Sequence, residues 1–87
     1  MHSENEKSGI SIFPNPASDN LQLTLGDFYK NDKTTASFYN SVGQKIFELE
    51  IENANSIVDL RNFEEGVYSV SIDNGLKVEI IQLVIGH

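Results

Sequence analysis

The sequence predicts an all-β fold, an immunoglobulin-like antiparallel β-sandwich of about seven strands. Short runs of alternating apolar and polar residues recur along the chain, as expected for strands with one buried face. Turn-forming residues separate these runs roughly every eight to twelve residues, which is the spacing of small two-sheet sandwiches. No stretch has the period of an amphipathic helix, so we expect strands to make up the core.

Size and composition exclude several classes of function. The 87 residues suffice for one domain, and 13 acidic against 6 basic residues give a net charge of −7 that repels nucleic acids and anionic lipids. The chain has no cysteine, and its two histidines are His2 and His87, close to the termini. The sequence therefore predicts no catalytic residue, cofactor or metal site, and a protein that is not an enzyme.

The first nine residues differ from the rest of the chain. Met1–Gly9 is polar, which predicts a linker or a tail introduced by cloning, followed by a β-sandwich over residues 10–87. Met1–Lys7 lacks the pattern of a signal peptide, and no apolar run is long enough to span a bilayer. Two interpretations remain, a cytoplasmic protein or a piece of a larger exported one, and the polar start favours the second.

The first half of the chain predicts four strands joined by turns. Ile10–Phe13 reads as an edge strand that ends at the rigid turn Pro14-Asn15-Pro16, because proline removes backbone donors. Leu21–Leu25 follows, with its leucines towards the core. A loop leads to a third strand that starts near Thr34, and the fourth covers Gln44–Ile51.

This half also contains a tight turn and an irregular strand. Asn40–Gly43 predicts a tight turn between the third and fourth strands. Ile46 breaks the alternation of Phe47, Leu49 and Ile51, which predicts either a bulge or a strand end that is covered on both faces.

The second half predicts three strands, of which Gly66–Ile72 is the central strand. Ser56–Leu60 precedes it as the fifth strand. The pair Asn74-Gly75 predicts a type I′ hairpin turn that leads into the last strand, Lys77–Ile85. The alternation of this last strand changes phase near Ile81, which predicts a bulge or burial on both faces.

Tyr68 stands close to the start of the predicted central strand. Together with Leu60, Phe63 and Gly66 it occupies the position of the tyrosine corner of immunoglobulin-like sandwiches, in which the phenol bonds to backbone a few residues upstream. The alternative is an ordinary buried tyrosine.

Three side-chain groups have two interpretations each. The loop residues Asp27, Asn31 and Asp32 predict a solvated acidic loop more than a calcium site, since their spacing fits no twelve-residue calcium loop. The alternating Glu48, Glu50 and Glu52 predict protection of a strand edge more than an acid/base pair. The aromatic residues expected to be exposed also offer a platform for carbohydrate, and these are Phe28, Tyr29 and Tyr39.

Taken together, three blocks of the sequence resemble a known family. The chain is similar to the C-terminal sorting domain, type A, of the type IX secretion system, also called the Por secretion system. The blocks run in the family's order from residue 10 to the end: Ile12–Asp19 with Leu21, Leu23 and Leu25; Phe38–Ile46; and Val58–Leu60 with Phe63, Gly66, Tyr68, Val70 and Ile72.

The resemblance implies a sorting signal without chemistry of its own. Such a domain directs a larger cargo protein through the periplasm and across the outer membrane to the cell surface or the medium. The implied partners are the outer-membrane translocon and its shuttle proteins, and in many members a sortase-like peptidase. Neither nucleic acid nor insertion into the membrane is implied. The alternative is a small module that binds carbohydrate or protein.

We expect recognition to involve the proline turn, the last strand, or both. The candidate recognition residues are Pro14, Asn15, Pro16, Lys77, Gln82, Leu83 and Val84, and the residues expected to hold the shape are Gly43, Gly66, Tyr68, Asn74 and Gly75. The chain departs from the family twice: Gln82 stands near the place of a frequent lysine, with Lys77 the nearest base, and Asn40 replaces an aspartate before the Gly43 turn.

Overall fold

The computed structural model describes residues 9–29 and 34–87 and contains seven strands in two antiparallel sheets. The all-β sandwich predicted from the sequence is confirmed. The strands are β1 (Ser11–Phe13), β2 (Asn20–Thr24), β3 (Thr35–Tyr39), β4 (Lys45–Glu50), β5 (Asn55–Asp59), β6 (Gly66–Asp73) and β7 (Val78–Ile85). Residues 1–8 of the predicted tail, and Asn31 and Asp32 of the acidic loop, lie outside the described residues.

The two sheets have three and four strands. Their strand orders are β1-β2-β5 and β4-β3-β6-β7, and all pairings between these strands are antiparallel. β6 lies between β3 and β7, so the prediction of Gly66–Ile72 as the central strand is confirmed. β4 and β7 form the two edges of the larger sheet.

The core lies between the sheets and follows the alternation of the sequence. Leu21, Leu23 and Leu25 are fully buried, and Val70 and Ile72 face them from β6. Phe28 was expected to be exposed, and this prediction is wrong: a short 3-10 helix, Gly26–Phe28, turns its ring into the core. None of the helices in the described ranges is long and apolar enough to cross a membrane.

The predicted irregularity at Ile46 is a bulge. Phe38 pairs with Phe47, whereas its neighbour Tyr39 pairs with Lys45, so Ile46 is the extra residue of β4. Phe47 consequently keeps its side chain towards the core side of the sheet, where it contacts Phe38.

The last strand has neither the predicted bulge nor burial on both faces. β7 pairs with β6 without interruption from Asp73–Val78 to Gly66–Ile85. The phase change arises because β7 carries apolar residues on both faces. Leu83 and Ile85 face the core, whereas Val78 and Ile80 lie on the outer face and are 54% and 68% exposed.

The side chain of Asn40 stabilises the turn between β3 and β4. The predicted turn before β4 is confirmed: Asn40 Oδ1 accepts from the backbone N–H groups of Val42 and Gln44, at 3.1 and 2.9 Å. Gly43 has a φ of 89°, which favours glycine because a Cβ is strained there.

The β6–β7 hairpin is also present, but its turn differs from the prediction. Asn74 N–H donates to the carbonyl of Lys77 at 3.1 Å, so Gly75 and Leu76 occupy the centre instead of Asn74 and Gly75. Only Gly75 of the predicted pair therefore takes a central position, with a φ of 90°.

Candidate recognition site

The predicted proline turn lies against the predicted last strand. The Asn15 side chain spans two backbone groups of β7: its Nδ2 donates to the Gln82 carbonyl at 3.0 Å, and its Oδ1 accepts from Val84 N–H at 3.0 Å. The amide of Asn15 thus bonds to β7 in the way that a backbone peptide of a neighbouring strand would.

The backbone of Ala17 extends this contact. Its N–H donates to the Val84 carbonyl at 2.8 Å, and its carbonyl accepts from Gly86 N–H at 2.8 Å, forming an isolated parallel bridge with Ile85. We call the Asn15 side chain and the Ala17 backbone the Asn15 clip. The clip makes three hydrogen bonds to the free edge of β7 and a fourth to Gly86 just after it, which closes the end of that edge to other strands.

The structure brings together some of the predicted recognition residues and separates others. Pro14, Asn15 and Pro16 are exposed, and Gln82 and Val84 are exposed beside them. Leu83 is fully buried and faces the core, so its side chain is not part of this surface. Lys77 lies in the β6–β7 turn, about 17 Å from Gln82 along the strand.

Apolar and amide side chains make up this surface. It combines the exposed ring of Phe13, which is 45% exposed, two prolines and the outer side chain of Val84 with the amide groups of Asn15 and Gln82. Among the described residues no group of three or more histidine, cysteine, aspartate or glutamate side chains is placed to hold a metal ion. The Asn15 amide is engaged with β7, so this surface presents mainly exposed apolar side chains and the Gln82 amide.

The tyrosine corner is present. Tyr68 is 5% exposed, and its hydroxyl donates to the carbonyl of Glu64, four residues upstream. Burial, and secondarily the charge of Glu64, raises the pKa of Tyr68. Beside it the His87 ring nitrogen Nε2 lies 2.7 Å from the Phe63 carbonyl, which joins the end of the chain to the loop before β6.

The aromatic platform considered for carbohydrate is not assembled. Phe28 is buried, and the Tyr29 hydroxyl donates to the Glu52 carbonyl at 2.7 Å. Glu52 follows Ile51, whose N–H donates to the Thr34 carbonyl just before β3. Tyr39 is the last residue of β3, so it lies at the end of the strand opposite to Tyr29. No single surface therefore contains the three rings.

The acidic residues of β4 lie on its outer face. Glu48 pairs with Ser37, Glu50 with Thr35, and the Glu48 carboxylate accepts from the Lys45 ammonium at 2.8 Å, which raises the pKa of Lys45. Glu52 lies beyond the end of the strand. Their role in protecting the edge of β4 stays a prediction.

The Asp59 carboxyl group is paired with Arg61, and we predict that it titrates near pH 2. The Arg61 side-chain hydrogen bond first, then the Arg61 backbone N–H, lower the pKa of Asp59 from 3.8 to about 2. Because the folded pKa is depressed, the stabilisation by this pair is complete above pH ~4 and is lost as the pH falls through ~2. Carbon-detected NMR titration measures the midpoint directly.

The variant Arg61→Gln is the control for this titration. It removes the guanidinium but keeps the backbone N–H, so we expect the Asp59 midpoint to rise towards 3.8 without reaching it. A midpoint near 3.8 in the unsubstituted protein would contradict the ion pair in solution.

The sequence pointed to the proline turn and to the last strand but not to the contact between them. Asn15 and Gln82 are 67 residues apart, and no local pattern links them. The available signal was an asparagine between two prolines: the prolines supply no backbone donors, which leaves the asparagine side chain as the polar group able to bond to a neighbouring strand.

Comparison with known proteins identifies a family from the sequence and a similar fold among solved structures. Residues 11–86 match the family described as "Secretion system C-terminal sorting domain". A solved structure of PorZ, described as an essential bacterial surface component of the type IX secretion system of Porphyromonas gingivalis, shares the fold with a TM-score of 0.75 and 16% identity. The similarity covers 95% of this chain and 12% of the PorZ chain, so this chain spans about an eighth of that protein. No curated protein sequence matches the chain significantly.

Proposed function

Because the chain belongs to the family of secretion system C-terminal sorting domains, we propose that it directs a larger cargo protein across the outer membrane through the type IX secretion system. The cargo passes through the periplasm and reaches the cell surface or the medium. The domain contributes no catalysis to this route. The observation that carries the proposal is the match over nearly the whole sandwich, including both parts of the Asn15 clip.

We further propose that the translocon or its shuttle protein contacts the surface around the clip. A receptor for many cargoes needs an epitope that has the same shape on each of them, and the clip fixes the end of β7 with four hydrogen bonds. The exposed side chains of Pro14, Pro16, Gln82 and Val84 surround those bonds. A sortase-like peptidase that separates the domain from its cargo is a further partner in this scheme.

An export assay tests this function. The complete 87-residue chain is fused behind a reporter with a signal peptide, and the fusion is expressed in a bacterium that has the type IX system. We expect the reporter at the cell surface or in the medium. Retention of the fusion in the periplasm, with the domain intact and folded, would rule out the sorting function.

The clip surface is tested by a substitution in the same fusion. We expect Asn15→Ala to reduce export several-fold, because it removes both side-chain bonds to β7 while the buried core is unchanged. The matched control is Asn53→Ala, an exposed asparagine that lies in neither the clip nor the β4–β5 groove. Equal export of both variants would leave the sorting function standing and would place recognition elsewhere on the domain.

A further inference from the structure

A second surface lies on the opposite side of the sandwich, where the edges of β4 and β5 face each other. The two sheets leave an open groove of about 690 Å³ there. Its apolar lining includes Ile46, Phe47, Leu49, Ile57 and Phe63. Ile46, Phe47 and Ile57 are 43%, 38% and 72% exposed, so the chain leaves apolar side chains clustered at this opening. The volume falls within the range of ligand-binding clefts.

The floor of the groove is a packed aromatic cluster. The rings of Phe47 and Phe63 lie 5.6 Å apart, and each contacts the fully buried ring of Phe38, at 5.7 and 5.6 Å. All three contacts are edge-to-face, with interplanar angles of 64° to 75°. Such contacts hold the rings in a fixed arrangement, so the groove presents a preformed apolar surface.

The backbone of β4 presents hydrogen-bonding groups along the groove. Ile51 N–H donates to the Thr34 carbonyl at 2.9 Å, and hydrogen-bonded pairs alternate along an antiparallel ladder. Leu49 and Phe47 therefore bond to β3, and the backbone groups of Glu48 and Glu50 point away from it. No strand of the described residues pairs with this edge of β4, and adding a strand to such an edge is a common way for a sheet to bind an extended peptide.

The side chains of β4 indicate which residue types the added strand should have. Phe47 and Leu49 face the groove, whereas Glu48 and Glu50 lie on the outer face of the sheet. An added strand alternates in the same way, so every second side chain enters the groove and the others lie beside the two carboxylates. Apolar residues fit the first set of positions, and lysine or arginine fits the second.

Charge argues against a second copy of this chain as the occupant. Each copy carries a net charge of −7, and pairing two β4 edges would place glutamates beside glutamates. Among the described residues, the basic side chains near this surface are engaged within the chain, since Lys45 bonds to Glu48 at 2.8 Å and Arg61 to Asp59 at 2.9 Å. Glu64, which also lines the groove, adds another carboxylate. Glu50, unlike Glu48, is in no ion pair with a described residue, so the partner supplies the positive charge beside it.

We propose that the β4 edge and the adjoining groove bind an extended peptide segment of alternating apolar and basic residues, added to the four-stranded sheet as a fifth strand. The clip is at the other edge of that sheet. The proposal therefore does not depend on the sorting function, and a failure of either one leaves the other intact.

The test uses three synthetic seven-residue peptides and the complete chain, followed by NMR. The first peptide alternates lysine with valine, the second alternates glutamate with valine, and the third alternates lysine with serine. We expect saturable shifts of the Glu48 and Glu50 backbone amides and of the Phe47 and Phe63 rings with the first peptide alone. Equal binding of the lysine–serine peptide would show a purely electrostatic contact and overturn the proposal, as would no binding of the first peptide.

Two charge-reversal variants distinguish the effect of a charge on the β4 edge from the effect of the net charge. Glu50→Lys reverses a charge on the β4 edge, and Asp27→Lys makes the same change of net charge at an exposed position outside β4. We expect Glu50→Lys to weaken binding of the lysine–valine peptide about 3- to 10-fold more than Asp27→Lys does. Equal effects of the two variants, or shifts centred on β7 instead of β4, would contradict docking at this edge.

Discussion

Replacing Tyr68 by alanine is expected to lower the free energy of unfolding by on the order of 3 to 5 kcal/mol. The side chain is 5% exposed, its ring packs edge-to-face on Phe63 at 5.8 Å, and its hydroxyl donates to the Glu64 carbonyl. The substitution removes the ring from the core and leaves a cavity. A domain of this size has a typical total stability of roughly 4 to 13 kcal/mol, so the variant is expected to be unfolded or close to it. Denaturant unfolding measures the loss.

Tyr68→Phe is the matched variant for the hydrogen bond. It keeps the ring and removes only the hydroxyl, so we expect a loss on the order of 1 kcal/mol. Tyr39→Ala serves as a control for the loss of a half-buried tyrosine on the outer face, with a smaller effect than Tyr68→Ala. Small and equal shifts for both Tyr68 variants would mean that the ring does not contribute to the core.

Asn74→Ala is expected to lower the stability by on the order of 2 to 4 kcal/mol, although the residue lies in a turn. Asn74 is 3% exposed, and its Nδ2 donates to the Phe28 carbonyl at 2.8 Å. Its Oδ1 accepts from the N–H groups of Leu76 and Lys77, at 2.9 and 2.8 Å. Alanine leaves these groups without their partner, and the Phe28 carbonyl is buried. Thermal or denaturant unfolding checks the result.

The control for Asn74 is Asn53→Ala, which has the same local chemistry at the surface. Asn53 Oδ1 accepts from Asn55 N–H at 3.2 Å, but the residue is exposed and water can replace it. We expect a loss below about 1 kcal/mol. If Asn74→Ala were as mild as Asn53→Ala, the bond between the β6–β7 turn and the 3-10 helix would contribute nothing to stability.

Alternation predicted the strands well because burial on one face acts on each strand separately. Leu21, Leu23 and Leu25 are the clearest case, since every second residue is an apolar one and all three are fully buried. The bulge at Ile46 was also visible, because an extra residue shifts the apolar pattern by one position. The tyrosine corner was detectable from spacing, and the structure distinguished it from an ordinary buried tyrosine.

The wrong predictions concern residues whose environment is set by distant parts of the chain. The phase change in β7 resembled a bulge, but the strand is regular and carries exposed Val78 and Ile80 on its outer face. The sequence around Phe28 predicted an exposed loop. In the structure a 3-10 helix, whose Phe28 carbonyl accepts a hydrogen bond from Asn74, places the Phe28 ring in the core. In both cases the local sequence is compatible with two arrangements, and tertiary contacts decide between them.

The same division applies to the candidate surfaces. The sequence by itself determined the class of fold, the central position of Gly66–Ile72 and the family, since these depend on alternation, turn residues and motif order along the chain. Only the tertiary structure joined Asn15 to Gln82 and opened the groove between β4 and β5. The physical reason is that strand edges acquire neighbours from residues far apart in sequence, and hydrogen bonds between such edges leave no local pattern.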